Sequence, residues 1–222
     1  DPKDPHRDWF CFDSVAGQSY SGWSGVENLP RLRIDNPGVQ NYLWKGEDSI
    51  VRHYLNAGAD GWRLDVAYEL GPTALQAIRQ AAHETKPGCA VVGEILGYPS
   101  GWEESVDGVC NFFALTVVKD VFNGTLTGSR ASAILNHMVD DAGIESLLKS
   151  WLLLDNHDTP RLVDQVPDFQ KRKLLWLAQM TMPGAPVVYY GSELGMKGAG
   201  DPQNRAPMRW DLAKATNKES AW

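Results

Sequence analysis

Apolar and polar positions along the chain change period at regular intervals. In residues 61–67, GWRLDVA, Trp62, Leu64 and Val66 fall on one face of an extended chain, and Gly61, Arg63, Asp65 and Ala67 on the other. The apolar runs CAVVGEI (89–95), WLLLDN (151–156) and APVVYYG (185–191) are short and bounded by polar residues, which predicts further buried strands. DGVCNFF (107–113) is a weaker strand candidate. Between these runs the pattern is helical. Residues 37–58 read as one helix, with Pro37 in its first turn and Gly58 just past its end. A second covers 72–85, with Leu75, Ile78 and Ala82 at helical spacing and a stop at Pro87-Gly88. A helical region at 129–150 breaks near Gly143. The last helix, 168–182, has Asp168 as N-cap and stops at Pro183-Gly184. Strands alternating with helices predict an α/β protein built of βαβ units around a parallel sheet. Residues 1–36, rich in Pro, Gly, Ser and aromatics, read as an irregular segment ahead of it.

Composition narrows the function classes. The length of 222 residues allows a sizeable core, and no apolar stretch approaches a membrane span. A formal charge of -7 argues against nucleic acid as the main partner, because phosphate binding needs clustered Lys and Arg. Nine Trp residues suit sugar rings as well as a core. Cys11, Cys89 and Cys110 form an odd set without ligand spacing, which points away from a disulfide framework or a zinc site and towards a reducing compartment, the cytoplasm. The chain begins DPKDPHRDWF without Met, so a targeting segment upstream remains open.

The candidate chemistry sits at strand ends, where parallel α/β folds gather functional groups. Asp65, Glu94 and Asp158 each follow a predicted strand. Taken singly, Arg63 with Asp65 reads as a structural ion pair, Glu94 as a core carboxylate paired to a cation, and DNHDTPR as a helix N-cap or a loop Asx-turn, with a structural salt bridge from Arg161 as a further alternative. Three carboxylates converging from separate strands fit a reaction that needs a nucleophile beside a proton donor, as in retaining glycosidases with carboxyl groups about 5–5.5 Å apart. A metal-dependent hydrolase using Asp65, Glu94, His157 and Asp158 as ligands is disfavoured by the lone His.

GWRLDVAYE, VVGEI and LLDNHD, in this order and at these spacings, resemble three of the four short signature regions of the α-amylase superfamily of retaining α-glycosidases. LPRLRIDNPGVQNYL is similar to the segment before the fourth barrel strand, PVVYYGSELGMKG to the eighth strand, and DPQNRAPMRWD to the substrate loop after it. The resemblance implies Asp65 as nucleophile, Glu94 as general acid/base and Asp158 as transition-state stabiliser. Arg63 would orient and ionise Asp65, and His157 would bind sugar at the cleavage subsite. Asp201 and Arg205 match a pair contacting the next sugar, with a loop-bracing salt bridge as the alternative. Val66-Ala67 and Glu69, with DWFCFD and LPRLRIDNP, look most like the cyclomaltodextrinase, neopullulanase and maltogenic amylase group, although Tyr68 stands where that group more usually has Asn.

The first signature region and the first three barrel strands have no counterpart here. The expected fold is therefore part of a TIM (β/α)8 barrel, about strands four to eight, with residues 37–222 as the C-terminal part of the catalytic barrel, cut at both ends. The expected function is a retaining α-glucan hydrolase acting on α-1,4 and also α-1,6 bonds of maltodextrins, cyclodextrins, pullulan or starch, with transfer to another sugar as a side path. A non-catalytic amylase-like barrel, or an inactive fragment of such an enzyme, is the alternative. No cofactor and no metal ligand are identified among these residues. The resemblance allows a structural calcium ion in the complete protein and a homodimer at full length; nucleic acid and membrane are not expected partners.

Overall fold

The computed structural model describes residues 3–12, 20–213 and 216. The chain divides into two compact units, Asp1–Val91 and Val92–Trp222. The described residues form two sheets. One is an antiparallel ribbon of β1 (Gly22–Trp23) and β2 (Val26–Pro30). The other is a parallel sheet whose strands follow chain order: β3 (Gly61–Leu64), β4 (Ala90–Gly93), β5 (Gly108–Asn111), β6 (Trp151–Leu153) and β7 (Ala185–Val187). Helices follow β3, β5 and β6, as expected for this part of a (β/α)8 barrel, whereas β4 and β5 are joined by a loop without a helix.

In the first unit the ribbon lies inside the segment read as irregular, whose residues 1–2 and 13–19 fall outside the described residues. The single helix expected over 37–58 is instead three pieces: α1 (Pro37–Gln40), a π-helical turn (Asn41–Lys45) and α2 (Ile50–Asn56). Asn36 starts the series, its side chain accepting from the N–H groups of Gly38 and Val39. Gly46 closes the π turn onto the Asn41 carbonyl, and polar Glu47, Asp48 and Ser49 separate it from α2. α3 (Gly71–Thr85) buries Ala74, Leu75, Ile78, Ala81 and Ala82, the face read from the sequence, and packs on α2. Gly61 opens β3 so close to the Ala90 carbonyl that a Cβ there would collide with it.

In the second unit β4 pairs with β5, β5 with β6 and β6 with β7, all parallel, with Val92 opposite Gly108, Cys110 opposite Trp151 and Leu152 opposite Pro186. The sheet is apolar on both faces. Leu152 and Leu154 join Leu115, Met138, Leu147, Leu162, Leu175 and Trp176 under the helices. Leu153, on the opposite face, packs with Val92 and Cys110. This explains why WLLL carries no alternation. The helices are α4 (Phe112–Phe122), α5 (Gly128–Ala142), α6 (Ile144–Lys149), α7 (Leu162–Gln165) and α8 (Phe169–Thr181). The break at Gly143 between α5 and α6 and the Asp168 cap of α8, which accepts from Gln170 and Lys171 N–H, are as read from the sequence. The weak strand candidate is corrected at its end: Phe112 and Phe113 belong to α4, which Asn111 caps by accepting from Ala114 N–H.

Candidate active site

Asp65 stands one residue past the end of β3, so the expected strand alternation through Val66 does not hold. The chain leaves the strand there because Val66 adopts a left-handed conformation, φ 40°, unusual for a β-branched residue. The Asp65 side chain is 73% exposed and ion-paired with Arg63. The pair therefore faces solvent and is not buried in a strand. Asp65 also borders a cleft of about 390 Å³ with Trp23, Leu29, Pro30, Val66, Glu69 and Leu70, in which the Trp23 indole donates to Glu69 at 2.9 Å.

Glu94 directly follows β4 and is 6% exposed. Asp158 lies in the loop after β6, with its side chain 46% exposed. It accepts from Arg205 at 2.7 Å and lies 3.1 Å from His157 Nε2. Arg205 Nε is 3.6 Å from Asp201. The second unit thus brings together four of the expected residues: His157, Asp158, Asp201 and Arg205. Asn156 forms the Asx-turn expected in this loop, its side chain accepting from the Asp158 N–H at 2.9 Å.

Support for this loop comes from residues the sequence did not single out. Asn204 is buried and donates to the carbonyls of His157, at 2.7 Å, and Thr159, at 3.0 Å. Asp155 is buried and accepts from Leu162 N–H, at 2.7 Å, and from the Ser192 hydroxyl, at 2.6 Å. Burial pushes its carboxyl above the usual range, while these hydrogen bonds and the positive charges of Arg161 and Lys119 pull it down. Instead of the expected salt bridge, Arg161 stacks on Tyr189 and Tyr190. Burial, then the neighbouring Tyr190, push the Tyr189 hydroxyl up to about 12, so it remains a donor at neutral pH. The only sequence signal for this support was the density of polar residues in DNHDTPR. Among the described residues, no group of three or more His, Cys, Asp or Glu side chains could hold a metal ion.

The model of the α-amylase catalytic domain matches residues 6–222. The chain belongs to the α-amylase family. Among curated α-amylase relatives it is 34% identical to neopullulanase 2 of Thermoactinomyces vulgaris, over 93% of this chain and 36% of that protein. It is 33% identical to the cyclomaltodextrinase of Geobacillus thermopakistaniensis, over 96% of this chain and 37% of that protein. Among solved structures, the cyclic α-maltosyl-(1→6)-maltose hydrolase of Arthrobacter globiformis in complex with maltose superposes with a TM-score of 0.88 at 27% identity, covering 99% of this chain and 51% of that one. The chain thus spans little more than a third of the length of these curated α-amylase relatives.

Proposed function

We propose that this chain carries the catalytic carboxylates of a retaining α-glucan hydrolase. The observation that carries the reading is that Asp65, Glu94 and Asp158 each follow a parallel strand of an α-amylase family chain, at the strand ends where barrel enzymes place their chemistry. Glu94 protonates the glycosidic oxygen as Asp65 attacks the anomeric carbon, giving a glycosyl ester on Asp65. Glu94, now a base, takes a proton from water, which displaces Asp65 and releases the sugar with its configuration kept. Each role has a physical basis. The exposed Asp65 is ion-paired with Arg63, whose guanidinium orients the attacking carboxylate. Glu94 stands at the end of β4 and is nearly excluded from water. Asp158 opposes the positive charge that develops on the ring, and His157 donates to a sugar hydroxyl. Asp201 and Arg205 contact the next sugar.

The substrates are maltodextrins, cyclodextrins, pullulan or starch, as the names of the similar neopullulanase and cyclomaltodextrinase suggest. A second sugar in place of water gives transfer. Cys11, Cys89 and Cys110 are not joined in disulfides, which supports a reducing, cytoplasmic setting. Among the described residues, no helix is long and apolar enough to cross a membrane. The test is covalent trapping with a 5-fluoro-α-maltosyl fluoride, followed by intact mass and peptide mapping. An adduct on Asp65 that is lost in Asp65→Asn is expected. A folded protein that turns over α-glucans without ever forming that adduct would overturn the assignment, and one that does neither would favour a non-catalytic barrel.

A further inference from the structure

The chemistry above leaves the buried cation Arg161 unused. Arg161 is 0% exposed. Its guanidinium carbon lies 4.2 Å from the Tyr189 ring centroid and 4.6 Å from that of Tyr190. Its Nε donates to the Asn204 carbonyl at 3.0 Å, and Nη1 donates to the Tyr190 carbonyl. The Tyr189 hydroxyl donates to the same Asn204 carbonyl at 3.1 Å. The Arg161 N–H donates to the Gly198 carbonyl at 2.9 Å, and Gly198 lies so near the backbone of Asn204 that it has no room for a side chain. Three separate segments therefore meet at one guanidinium: the loop after β6, the end of the chain leaving β7, and the turn at 203–205.

The consequence falls on Asp158 and Arg205. Asn204 holds the carbonyls of His157 and Thr159, the two neighbours of Asp158 in sequence. Asn204 is itself the neighbour of Arg205, whose guanidinium reaches Asp158 at 2.7 Å. Fixing Asn204 thus fixes both ends of that ion pair. Burying a cation is costly, and an apolar side chain would fill the same space at less cost. What the guanidinium adds is a planar fork that stacks on rings and ties carbonyls of two segments at once, which neither an apolar residue nor Lys can do.

We infer that Arg161 is a positioning residue which, through Asn204, sets Asp158 and Arg205 in register for the reaction. The inference rests on the glycosidase reading for its kinetic part only. The test compares the full-length protein with Arg161→Lys, Asn204→Ala, Arg205→Met and the double variants of each of the first two with Arg205→Met, on 4-nitrophenyl α-maltoside. Arg161→Lys and Asn204→Ala each lower kcat by about 10- to 100-fold while KM moves much less, as misplacement of a catalytic group predicts. Adding Arg205→Met to either one costs little more than the larger single loss, because all act on one ion pair. Losses that multiply, or an Arg161→Lys protein with unaltered kcat, would overturn the inference.

Amide hydrogen exchange on Arg161→Lys supplies a readout independent of turnover. Protection falls at both 156–159 and 203–205. Unchanged protection at either segment overturns the inference even in a protein with no glycosidase activity. Should Arg161→Lys fail to fold, Asn204→Ala is read by the same kinetic and exchange criteria. An inactive wild type that forms no adduct on Asp65 would sink the glycosidase reading instead.

Discussion

Asp65 and Asp158 both follow strands of one parallel sheet, yet they are held by opposite means. Asp65 sits one residue past β3, exposed, aimed by the left-handed turn at Val66 and paired with a cation on its own strand. Asp158 is several residues past β6, in a loop whose carbonyls, side chains and ion pair are fastened from segments more than 40 residues further on. One carboxylate is placed by local backbone and the other by tertiary contacts. Substitutions near the first should therefore cost chemistry without stability, and substitutions behind the second should cost both.

The largest expected effect breaks the comparison at the local end. Asp65→Asn should lower α-glucan hydrolysis on the order of 10⁴-fold or more, as loss of a nucleophile does. Its unfolding free energy should stay within about 0.5 kcal/mol of wild type, as for other exposed positions. Rate assays and denaturant melts on the same preparation check both halves.

Asn204→Ala should do what Asp65→Asn does not. It removes both hydrogen bonds from the buried amide and strands the carbonyls of His157 and Thr159. A destabilisation of about 2–3 kcal/mol by chemical denaturation is expected. A loss below about 0.5 kcal/mol would show that the loop after β6 holds itself, and the contrast with Asp65 would fall.

Arg63→Met sharpens the comparison from the other side. The Arg63–Asp65 pair faces solvent, so its removal should change stability by less than about 1 kcal/mol. Glycosyl-enzyme formation at Asp65 should nevertheless slow measurably in single-turnover trapping, because the nucleophile loses its adjacent cation.

The smallest effect is one of sign. Burial raises the Asp155 carboxyl above its usual range, so the folded chain binds that proton more tightly than the unfolded chain does. The group's contribution to stability is then full below the ordinary carboxylate range and is lost as pH rises through the raised value. Asn at this position keeps an oxygen for the Leu162 N–H and the Ser192 hydroxyl but cannot ionise. Asp155→Asn should therefore raise the melting temperature at pH 8 relative to wild type, and the gain should shrink towards pH 4. A gain that grows on acidification would refute the assigned direction.

What the sequence made legible follows the same division. The strand-end carboxylates, the helical face of Leu75, Ile78 and Ala82, and the Asp168 cap are local patterns, and each could be read from neighbours a few residues away. α4 could not, because FFALTVVKDVF is apolar on nearly every side and its first two residues continue an extended apolar run. The π turn at 41–45 was hidden for a related reason: Tyr42, Leu43 and Trp44 satisfy a helical period whichever carbonyl their hydrogen bonds reach. Arg161 was legible only as a charge near Asp158. Its partners, Tyr189, Tyr190 and Asn204, are brought to it by the fold, and no spacing in the chain records that.

Val66 has a consequence for anyone who would engineer this chain. A β-branched residue held at φ 40° carries a conformational cost of roughly 1–3 kcal/mol. A screen for heat resistance alone would tend to select glycine or asparagine there, since both accept that backbone more readily. Such a variant would tolerate higher temperatures while giving the residue beside it, Asp65, more directions in which to point. Selection for thermostability and selection for turnover would then pull this one position towards different amino acids.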